Sequence, residues 1–507
     1  MSLLRAILCL LLLVRVTAST NGESPHDLLS LGDTALTMGH SNEAVQYYEQ
    51  GLERIHNDND NDPTVNLLTE LSLYTNLATA YSAMGQDHDA IAAYEKTLVA
   101  YKGSSNEIVD TAVKLQADEI CAQAAFFLGM VYQDLGKPKD AAEAYQKAHE
   151  LDPWHWASMA NYGAVLNDEQ QYQKAVTAYN TAYDILMNPE HKPTDPPAEP
   201  RFILSQLQYR IGLCISHDLE QTCVLEDDPE KTVSCQQLAT HAFSLAVEYD
   251  ADNESAKHML ATLTADATVD RASNSYVKSL FDDYAANFEH SLVQELGYTG
   301  YERLRRGFDK ALGNVSQVPV FAKVVDAGCG TGLVGEQFRN VSQYLIGVDL
   351  SQAILSQAVK ARPGLYNETV KGDVTQVFRD YKPIDLIIAA DSYIYFGDLV
   401  PLFESMREGL QNGGYAAFTL ENSNAENEKL LAESTPDWRW QLTASGRFAH
   451  RQEYVLAVAQ AHDFQLVHYE KLNDFRFEKG VGVRGHIFVL QKTESREDQQ
   501  RICKQLV

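Results

Sequence analysis

Residues 323–350 carry the stretch that most restricts how this chain can fold, KVVDAGCGTGLVGEQFRNVSQYLIGVDL. Its first residues predict a short β-branched strand, which breaks into Gly328, Gly330 and Gly332 before a helix begins near Leu333. A second apolar strand ends at Asp349, whose carboxylate can accept hydrogen bonds from two ribose hydroxyls. A strand, a glycine loop and a helix in this order indicate a nucleoside-binding βαβ unit.

The glycine spacing alone does not say which nucleoside binds. Three glycines beginning at Gly330 also match the dinucleotide fingerprint, with an acid about 20 residues further on. However, Asp326, Asp373 and Asp391 add carboxylates at the ends of the predicted strands. They would repel a pyrophosphate but suit a ligand that carries an ammonium and a sulfonium and no phosphate. The charges therefore favour S-adenosylmethionine, and a nicotinamide oxidoreductase remains an alternative.

The first half of the chain, residues 25–266, repeats an alanine, an aromatic four residues later and a mostly small residue three further on. The instances are Ala44-Tyr48-Gly51, Ala90-Tyr94-Thr97, Ala141-Tyr145-Ala148, Ala175-Tyr179-Ala182 and Ala239-Phe243-Ala246. This spacing puts the three side chains on one helix face. We expect the small residues to let the two helices of a unit approach closely, while the aromatic packs into the next unit. The pattern resembles the tetratricopeptide repeat, which implies an all-α solenoid that binds a protein or peptide partner.

The motifs VVDAGCGTGL and IGVDLS resemble the nucleotide motifs of class I S-adenosylmethionine-dependent methyltransferases. Strands and helices alternate beyond Asp349, which predicts a doubly wound parallel sheet that matches the seven-stranded, Rossmann-like class I fold. The segments AADSYIYFGDL, SGRFAHRQEYV and RGHIFVLQ extend the resemblance to bacterial methyltransferases with N-terminal tetratricopeptide repeats. The implied protein is a multi-domain methyltransferase, with an α/β catalytic domain after the solenoid.

Carried over residue by residue, the resemblance implies a cofactor site at the strand ends. It places Asp326 and the glycine loop around the methionine moiety, Asp349 with Leu350 at the ribose, and Asp373 with Val374 at the adenine. The loop residues are Gly328, Cys329, Gly330, Thr331 and Gly332. An F-D-x-Y-A pattern at 281–285 implies a lid helix with Phe281, Tyr284 and Phe288 over the cofactor. Aromatics at this spacing would equally well seat the helix on the sheet.

The resemblance also places Asp391, Tyr393 and Tyr395 at the mouth that faces the acceptor. A carboxylate acceptor needs no base, whereas a hydroxyl or an amine needs one within hydrogen-bond reach. The candidate bases are Asp391, Glu421 and His450, and His450 ranks first because it lies in the family-like GRFAH segment. A structural histidine beside the crevice is the competing interpretation.

The acceptor itself cannot be read from the sequence. Arg447, Arg451 and Arg484 could bind an acidic acceptor, although arginines also cover solvated faces. The repeats suggest a protein or peptide substrate, and they equally suit a small-molecule enzyme tethered to a complex. A further alternative is a repeat scaffold with a cofactor-sensing or inactive methyltransferase domain, although the glycine loop and Asp349 are complete.

Charge and cysteine spacing restrict the remaining partners. The chain has 41 Lys+Arg against 70 Asp+Glu, a formal charge of -29, which repels phosphate backbones and predicts no nucleic-acid partner. The cysteines lack metal-ligand spacing, so no metal site is predicted. Cys223 and Cys235 flank an acidic insert and could pair in an oxidising compartment, while free thiols are at least as compatible with the sequence.

The N-terminus predicts export. Residues 1–19 contain Arg5, an apolar run to Val14 and small residues near Ala18, as in a secretory signal, and the run is too short to span a bilayer. We therefore expect no stable membrane span in the mature chain, and an organelle or cytoplasmic location remains open. The predicted domains are the signal 1–19, the repeats 25–266, a helical lid and linker 267–322, the methyltransferase domain 323–495 and a tail 496–507.

Overall fold

A computed structural model describes residues 24–57, 63–104, 108, 110–188, 197–219, 221–225, 228–264, 266, 268–285, 289, 292–293, 297–313, 319–423, 437–478 and 481–494. The chain divides into two compact units, residues 1–251 and 252–507. The predicted signal and the predicted tail lie outside the described residues. Among the described helices, none combines the length and the apolar composition needed to cross a bilayer.

The first unit consists of paired helices, as the repeat pattern predicts. They are α1 Pro25–Thr37, α2 Ser41–Asn57, α3 Pro63–Ala83, α4 Asp87–Ser104, α5 Thr111–Asp134, α6 Pro138–Leu151, α7 Trp156–Asp168, α8 Tyr172–Met187, α9 Pro200–Ile215 and α10 Cys235–Tyr249. Left-handed glycines at Gly39, Gly85 and Gly136 make the turns of the first three pairs. The helical part of the predicted fold class is therefore confirmed.

The repeated aromatic lies on the small residue of the preceding helix. A Cβ atom added at Gly129 would lie 2.7 Å from Tyr145 Cδ1, and one at Gly163 would lie 2.8 Å from Tyr179 Cδ1. The same contact recurs in the first and fifth pairs, as Tyr48 on Gly32 and Phe243 on Gly212. These rings therefore pack within their own unit, and contact with the next unit, which the sequence predicts, occurs as well: the Tyr94 ring lies 6.3 Å from that of Phe127 in the following pair.

A short hairpin interrupts the helical array. The strands β1 Thr222–Leu225 and β2 Asp228–Ser234 pair antiparallel between α9 and α10. A disulfide joins Cys223 to Cys235, with the two Cα atoms 5.1 Å apart, in the usual range for such bridges. Of the two alternatives left by the sequence, the structure has the paired cysteines.

The second unit contains helices on both sides of a mixed sheet. The helices are α11 Glu254–Thr264, α12 Asn274–Tyr284, α13 Gly300–Ala311, α14 Leu333–Phe338, α15 Gln352–Ala361, α16 Val374–Asp380, α17 Val400–Gly409 and α18 Gln452–Ala461. The strands are β3 Phe321–Ala327, β4 Ser342–Asp349, β5 Glu368–Lys371, β6 Ile384–Ala389, β7 Leu410–Glu421, β8 Trp440–Leu442, β9 Phe448–His450, β10 Phe464–Glu478 and β11 Val481–Lys492.

The main strands lie in the order β10-β11-β7-β6-β3-β4-β5, with β8 and β9 beside the end of β7. The five neighbouring strands β7, β6, β3, β4 and β5 run parallel to one another. In contrast, β11 pairs antiparallel with both β7 and β10. This is the predicted seven-stranded, doubly wound arrangement. Its topology brings the carboxyl ends of β3, β4, β5 and β6 to one edge, where ligands of such sheets bind.

Both faces of the sheet are buried because successive side chains point to opposite sides. Val324, Leu345 and Leu386 belong to one apolar cluster. The next residues along each strand, Val325, Ile346 and Ile387, belong to the cluster on the other face. Burial on both faces explains why these strands read as continuous apolar runs in the sequence.

Candidate active site

A cavity of about 140 Å³ opens at the carboxyl ends of the parallel strands. The glycine loop after β3 lines it together with Asp349 at the end of β4, Asp373 after β5 and residues 390–392 and 394–396 after β6. Much of the remaining wall is formed by Arg447, Arg476 and five residues around α12, which are Arg271, Ala272, Asn274, Val277 and Phe281. The fold therefore gathers most of the predicted cofactor residues around one space.

The glycine loop turns sharply between β3 and α14. The backbone N–H groups of Gly328 and Cys329 both donate to the Val348 carbonyl, at 2.8 Å each. Gly328 has a φ of 71°, and a Cβ atom there would lie 2.2 Å from Ser392 Oγ. Only glycine fits this position, so the loop backbone itself forms the cavity wall. Gly328, Cys329, Gly330 and Thr331 line the cavity, whereas Gly332 is not among the lining residues.

Asp349 lies where the ribose is expected. Its carboxylate accepts hydrogen bonds from the backbone N–H groups of Gly330, at 3.1 Å, and Ser351, at 2.9 Å. Burial raises the pKa of Asp349 to about 6, although these hydrogen bonds oppose the shift. A carboxylate has about four lone-pair sites, so two backbone bonds leave capacity for hydroxyl donors. Leu350 lines the cavity beside it.

Asp326 occupies a different place from the one predicted. It is fully buried beneath the loop, is not among the lining residues and accepts a hydrogen bond of 2.7 Å from the Tyr366 hydroxyl. Burial raises the pKa of Asp326 to about 7. The Tyr366 ring also lies close to Gly335 and Gly347, where added Cβ atoms would come within 3.0 Å of its atoms. Asp326 thus supports the loop from below instead of lining the methionine end.

Asp373 forms the predicted adenine end with Val374, and both line the cavity. One oxygen of Asp373 caps α16 by accepting from the Thr375 N–H, and the other accepts from Arg271 and from Asn274 at 2.9 Å. Burial would raise the pKa of Asp373, but these donors outweigh it and lower the pKa below the ordinary value. The Arg271 guanidinium also lies over the ring of Phe396, which is part of the cavity wall.

Asp391 lines the other end of the cavity, as predicted for the acceptor side. Its φ of 53° is uncommon for a residue other than glycine and is tolerated best by Asp and Asn. Its Oδ2 accepts a hydrogen bond of 2.8 Å from Arg476 Nη1, and Arg476 Nη2 donates to Glu421. Asp391 Oδ1 is buried and has no hydrogen-bond partner among the described residues.

Two predicted catalytic residues do not line the cavity. Tyr393 is fully buried, with its hydroxyl 3.7 Å from Met406 Sδ and its ring packed on Phe418. His450 is also fully buried, and its Nε2 donates to the Gly397 carbonyl at 3.1 Å. Burial lowers the pKa of His450 to about 4. These contacts favour the structural interpretation of His450 over the catalytic one.

The predicted lid is described only in part. The side chain of Tyr284 and the whole of Phe288 lie outside the described residues. Phe281 lines the cavity, with its ring 5.8 Å from that of Tyr395. Further along the same stretch, Glu289 accepts two hydrogen bonds from Arg362, of 2.8 and 2.9 Å. Arg362 also donates to the Thr331 carbonyl at 3.1 Å, so it ties this stretch to the glycine loop.

Sequence reasoning named Arg447 but missed the other two basic groups of the site, Arg271 and Arg476. Among the described lining residues, Arg271, Arg447 and Arg476 accompany the three carboxylates Asp349, Asp373 and Asp391. The site is therefore close to charge-balanced, which weakens the sequence argument based on carboxylates alone. Arg271 and Arg476 carry no local motif, and only the long-range packing of their segments brings them to the cavity.

Family comparisons agree with this architecture. Residues 324–414 match a model described as a methyltransferase domain. Residues 28–55, 71–103 and 122–155 match models of the tetratricopeptide repeat. The methyltransferase match spans the loop, Asp349, Asp373 and Asp391, and supports S-adenosylmethionine as the cofactor that the sequence predicts.

Individual relatives match only part of the chain. Trans-aconitate 2-methyltransferase of Rhizobium rhizogenes is 28% identical over 127 residues, which cover 24% of this chain and 48% of that protein. The 18S rRNA (guanine-N(7))-methyltransferase of Bos taurus is 28% identical over 121 residues, which cover 21% of this chain and 42% of that protein. The chain spans about half the length of the curated relatives it matches.

Among solved structures, similarity extends to magnesium protoporphyrin IX methyltransferase from Synechocystis PCC 6803 with bound SAH. It has 12% sequence identity and a TM-score of 0.33, and the alignment covers 43% of this chain and 99% of that one. The family matches and the topology of the sheet identify the parts of this protein. The chain combines tetratricopeptide repeats in its first half with a class I methyltransferase domain in its second.

Proposed function

We propose that this protein transfers a methyl group from S-adenosylmethionine to an acceptor that enters the cavity beyond β6. One observation carries the proposal: the methyltransferase-domain match, residues 324–414, covers the loop and strand ends that line the cavity. The relatives named above are themselves methyltransferases. The acceptors in their names differ, so they support the reaction class only.

The residues present fit this cofactor. The loop backbone from Gly328 to Thr331 would hold the methionine moiety, Asp349 the ribose hydroxyls, and Asp373 with Val374 the adenine. The glycine at 328 leaves space that a side chain would fill, since Ser392 already touches that position. When bound, the cofactor supplies an activated methyl group. The protein contributes mainly proximity and alignment, worth up to about 7–11 kcal/mol in favourable cases.

The surroundings of the loop also disfavour the dinucleotide alternative. A pyrophosphate would lie against the loop and the helix that follows it. Arg362, which donates to the Thr331 carbonyl there, is already paired with Glu289 and with Glu336, at 2.8 and 3.0 Å. Two fixed carboxylates beside the loop would repel phosphate groups, whereas they tolerate a cationic ligand.

Calorimetric titration of the full-length protein tests the proposal. We expect S-adenosylmethionine to bind and NAD not to bind, and Asp349→Lys to abolish binding because an ammonium replaces the acceptor of the ribose hydroxyls. Asp380→Lys is the matched control, since Asp380 is an exposed residue at the opposite end of α16. Binding of NAD instead would support an oxidoreductase. Binding of neither ligand would support a repeat scaffold without catalysis.

We further propose that the repeats bind a protein or peptide and that the protein works in the secretory pathway. The repeat matches support the first part, because stacked helix pairs present an extended surface to partners. The predicted signal and the disulfide between Cys223 and Cys235 support the second. Crosslinking in cells tests the partner, and immunolocalisation tests the compartment. If crosslinking recovers the protein without a partner, the first part is contradicted. If the protein is found in the cytosol, the second part is contradicted.

A further inference from the structure

The segment between α15 and β5, residues 362–367, lies against the glycine loop. Arg362 Nη1 donates to the Thr331 carbonyl at 3.1 Å. At Gly332, where φ is 99°, an added Cβ atom would lie 2.8 Å from Leu365 Cδ2. None of the residues 362–367 belongs to the described lining of the cavity. The loop therefore rests on a segment that does not itself face the ligand space.

The ring of Tyr366, in this segment, fills a space that two glycines leave open. A Cβ atom added at Gly335, in the first turn of α14, would lie 2.6 Å from the Tyr366 hydroxyl oxygen. One added at Gly347, in β4, would lie 3.0 Å from three carbons of the ring. Gly335 is the third glycine of the dinucleotide-like spacing, and here its missing side chain makes room for a tyrosine. The ring thus packs on both the helix after the loop and the neighbouring strand.

The Tyr366 hydroxyl orients the buried carboxylate of Asp326. It donates to Asp326 Oδ2 at 2.7 Å, and the same oxygen lies 2.9 Å from the position of a Cβ atom at Gly335. Burial raises the pKa of Asp326 to about 7, while the Tyr366 hydroxyl and the Gly335 N–H both oppose this rise. Both donors therefore stabilise the ionised carboxylate. Because Asp326 precedes the loop and Gly335 follows it, this contact connects the two ends of the loop.

We propose that Tyr366 is a positioning residue for the methionine end of the cofactor, because it holds the two ends of the glycine loop together through Asp326. This inference rests on the proposed function, in which the loop backbone from Gly328 to Thr331 holds the methionine moiety. Tyr366 acts without touching the ligand, since it is not among the described lining residues. A loop that is already fixed has less freedom to lose when a ligand binds, so a supporting contact raises affinity.

The effect of Tyr366 should be concentrated on the methionine end, because the other two ends of the site have separate anchors. At the ribose end, Asp349 accepts from the loop at Gly330 but also from the Ser351 N–H, at 2.9 Å and outside the loop. At the adenine end, Asp373 accepts from Asn274 at 2.9 Å. Loosening the loop should therefore weaken ligands that have the methionine moiety more than ligands that lack it.

Calorimetric titration of the full-length protein with two ligands tests the inference. S-adenosylmethionine carries the methionine moiety, whereas 5′-methylthioadenosine keeps the adenine, the ribose and the sulfur but lacks the amino-acid end. Tyr366→Phe keeps the ring and removes the hydroxyl. We expect this variant to bind S-adenosylmethionine about tenfold more weakly, because a hydrogen bond to a buried carboxylate under the loop is lost. Its affinity for 5′-methylthioadenosine should change by less than about twofold.

Tyr344→Phe is the matched control. The Tyr344 hydroxyl donates to Glu368 at 3.1 Å near the edge of the sheet, away from the described lining of the cavity, so this variant loses a similar bond and should keep both affinities. Gly335→Ala disturbs the proposed contact from the other side and should also weaken S-adenosylmethionine. The double variant Gly335→Ala/Tyr366→Phe should bind no more weakly than Gly335→Ala, because both changes act on one contact. Circular dichroism with thermal unfolding shows whether each variant is folded.

Three outcomes would overturn the inference. The first is an unchanged affinity of folded Tyr366→Phe for S-adenosylmethionine. The second is an equal loss for both ligands, which would mean that Tyr366 supports the domain in general. The third, which needs S-adenosylmethionine alone, is a double variant whose loss equals the sum of the two single losses. Failure of the unaltered protein to bind S-adenosylmethionine would overturn the proposed function first, whereas binding that survives Tyr366→Phe would overturn only the role of Tyr366.

Discussion

At the scale of single residues, carboxylates near the ends of the parallel strands differ according to the donors around them. Burial raises the pKa of Asp326 to about 7 and that of Asp349 to about 6. Asp373 is less enclosed and accepts from several side-chain donors, and its pKa is lowered. The charge state of each aspartate is therefore set by the balance between the hydration it loses on burial and the hydrogen-bond donors it gains. Residue type and position on the strand do not determine it.

This balance predicts how cofactor binding depends on pH. In the proposed site the ribose hydroxyls would donate to the ionised form of Asp349, while the free carboxyl takes up a proton below about pH 6. Affinity for S-adenosylmethionine should therefore be level above that pH and fall by up to about tenfold per pH unit below it. Calorimetry across this range measures the dependence.

Asp349→Asn gives the matched control for this prediction. Asparagine keeps the shape and one acceptor oxygen but does not titrate, so the variant should bind more weakly at neutral pH and lose the slope near pH 6. If the affinity of Asp349→Asn still falls with pH near pH 6, the dependence belongs to another group, such as Asp326. A flat profile in the unaltered protein would contradict the raised pKa.

At the scale of elements, local patterns predicted the architecture well because each depends on neighbours in the sequence. The loop glycines, the apolar strand runs and the alanine–aromatic spacing all place elements where the structure has them. The apolar strand pattern at the end of the domain is clear only at 465–469 and 486–490. In the structure, β10 and β11 extend well beyond these residues, and they remain paired as far as Glu478 and Val481. That extension carries Arg476 to the cavity, and strand propensity alone does not reveal how far a pair continues.

Side chains that act through distant contacts were the ones that could not be predicted. Tyr366 reaches Asp326 from 40 positions away, and Arg476 reaches Asp391 from 85. Neither belongs to a spaced motif. Tyr393 and His450 showed the opposite problem, since motif position suggested chemistry but packing removed them from the cavity. A resemblance in sequence indicates which segment is near a site and does not say which way a side chain points.

The helix pairs of the repeats give a prediction about packing. Gly129→Ala would put a Cβ atom 2.7 Å from the Tyr145 ring, which overpacks the pair and should lower stability by about 1–3 kcal/mol. Gly103→Ala is the matched control, because nothing lies within 4 Å of an added Cβ atom there. It should be neutral or slightly stabilising.

Thermal unfolding followed by circular dichroism measures both glycine variants. The double variant Gly129→Ala/Tyr145→Leu should recover part of the lost stability, because a smaller side chain leaves room for the new methyl group. Equal melting temperatures for Gly129→Ala and Gly103→Ala would contradict the role assigned to the glycine–aromatic contact.

At the scale of the whole molecule, net charge restricts the substrates. The chain carries a formal charge of -29, while the cavity lining itself is close to balanced. A small anion bound by a local arginine is compatible with this distribution, since short-range pairing acts within a few ångströms. A long polyanion is disfavoured, because most of its phosphates would lie outside the site and meet the negative field.

We therefore expect the full-length protein not to bind RNA, although one relative is an rRNA methyltransferase. Fluorescence anisotropy of a labelled RNA hairpin, at low and at moderate salt, measures this, and a basic RNA-binding protein serves as the positive control. Proteins that neutralise several phosphates lose affinity steeply as salt increases. The prediction fails if the anisotropy rises at low salt and falls with added salt, because that result would require a basic surface strong enough to outweigh the overall charge.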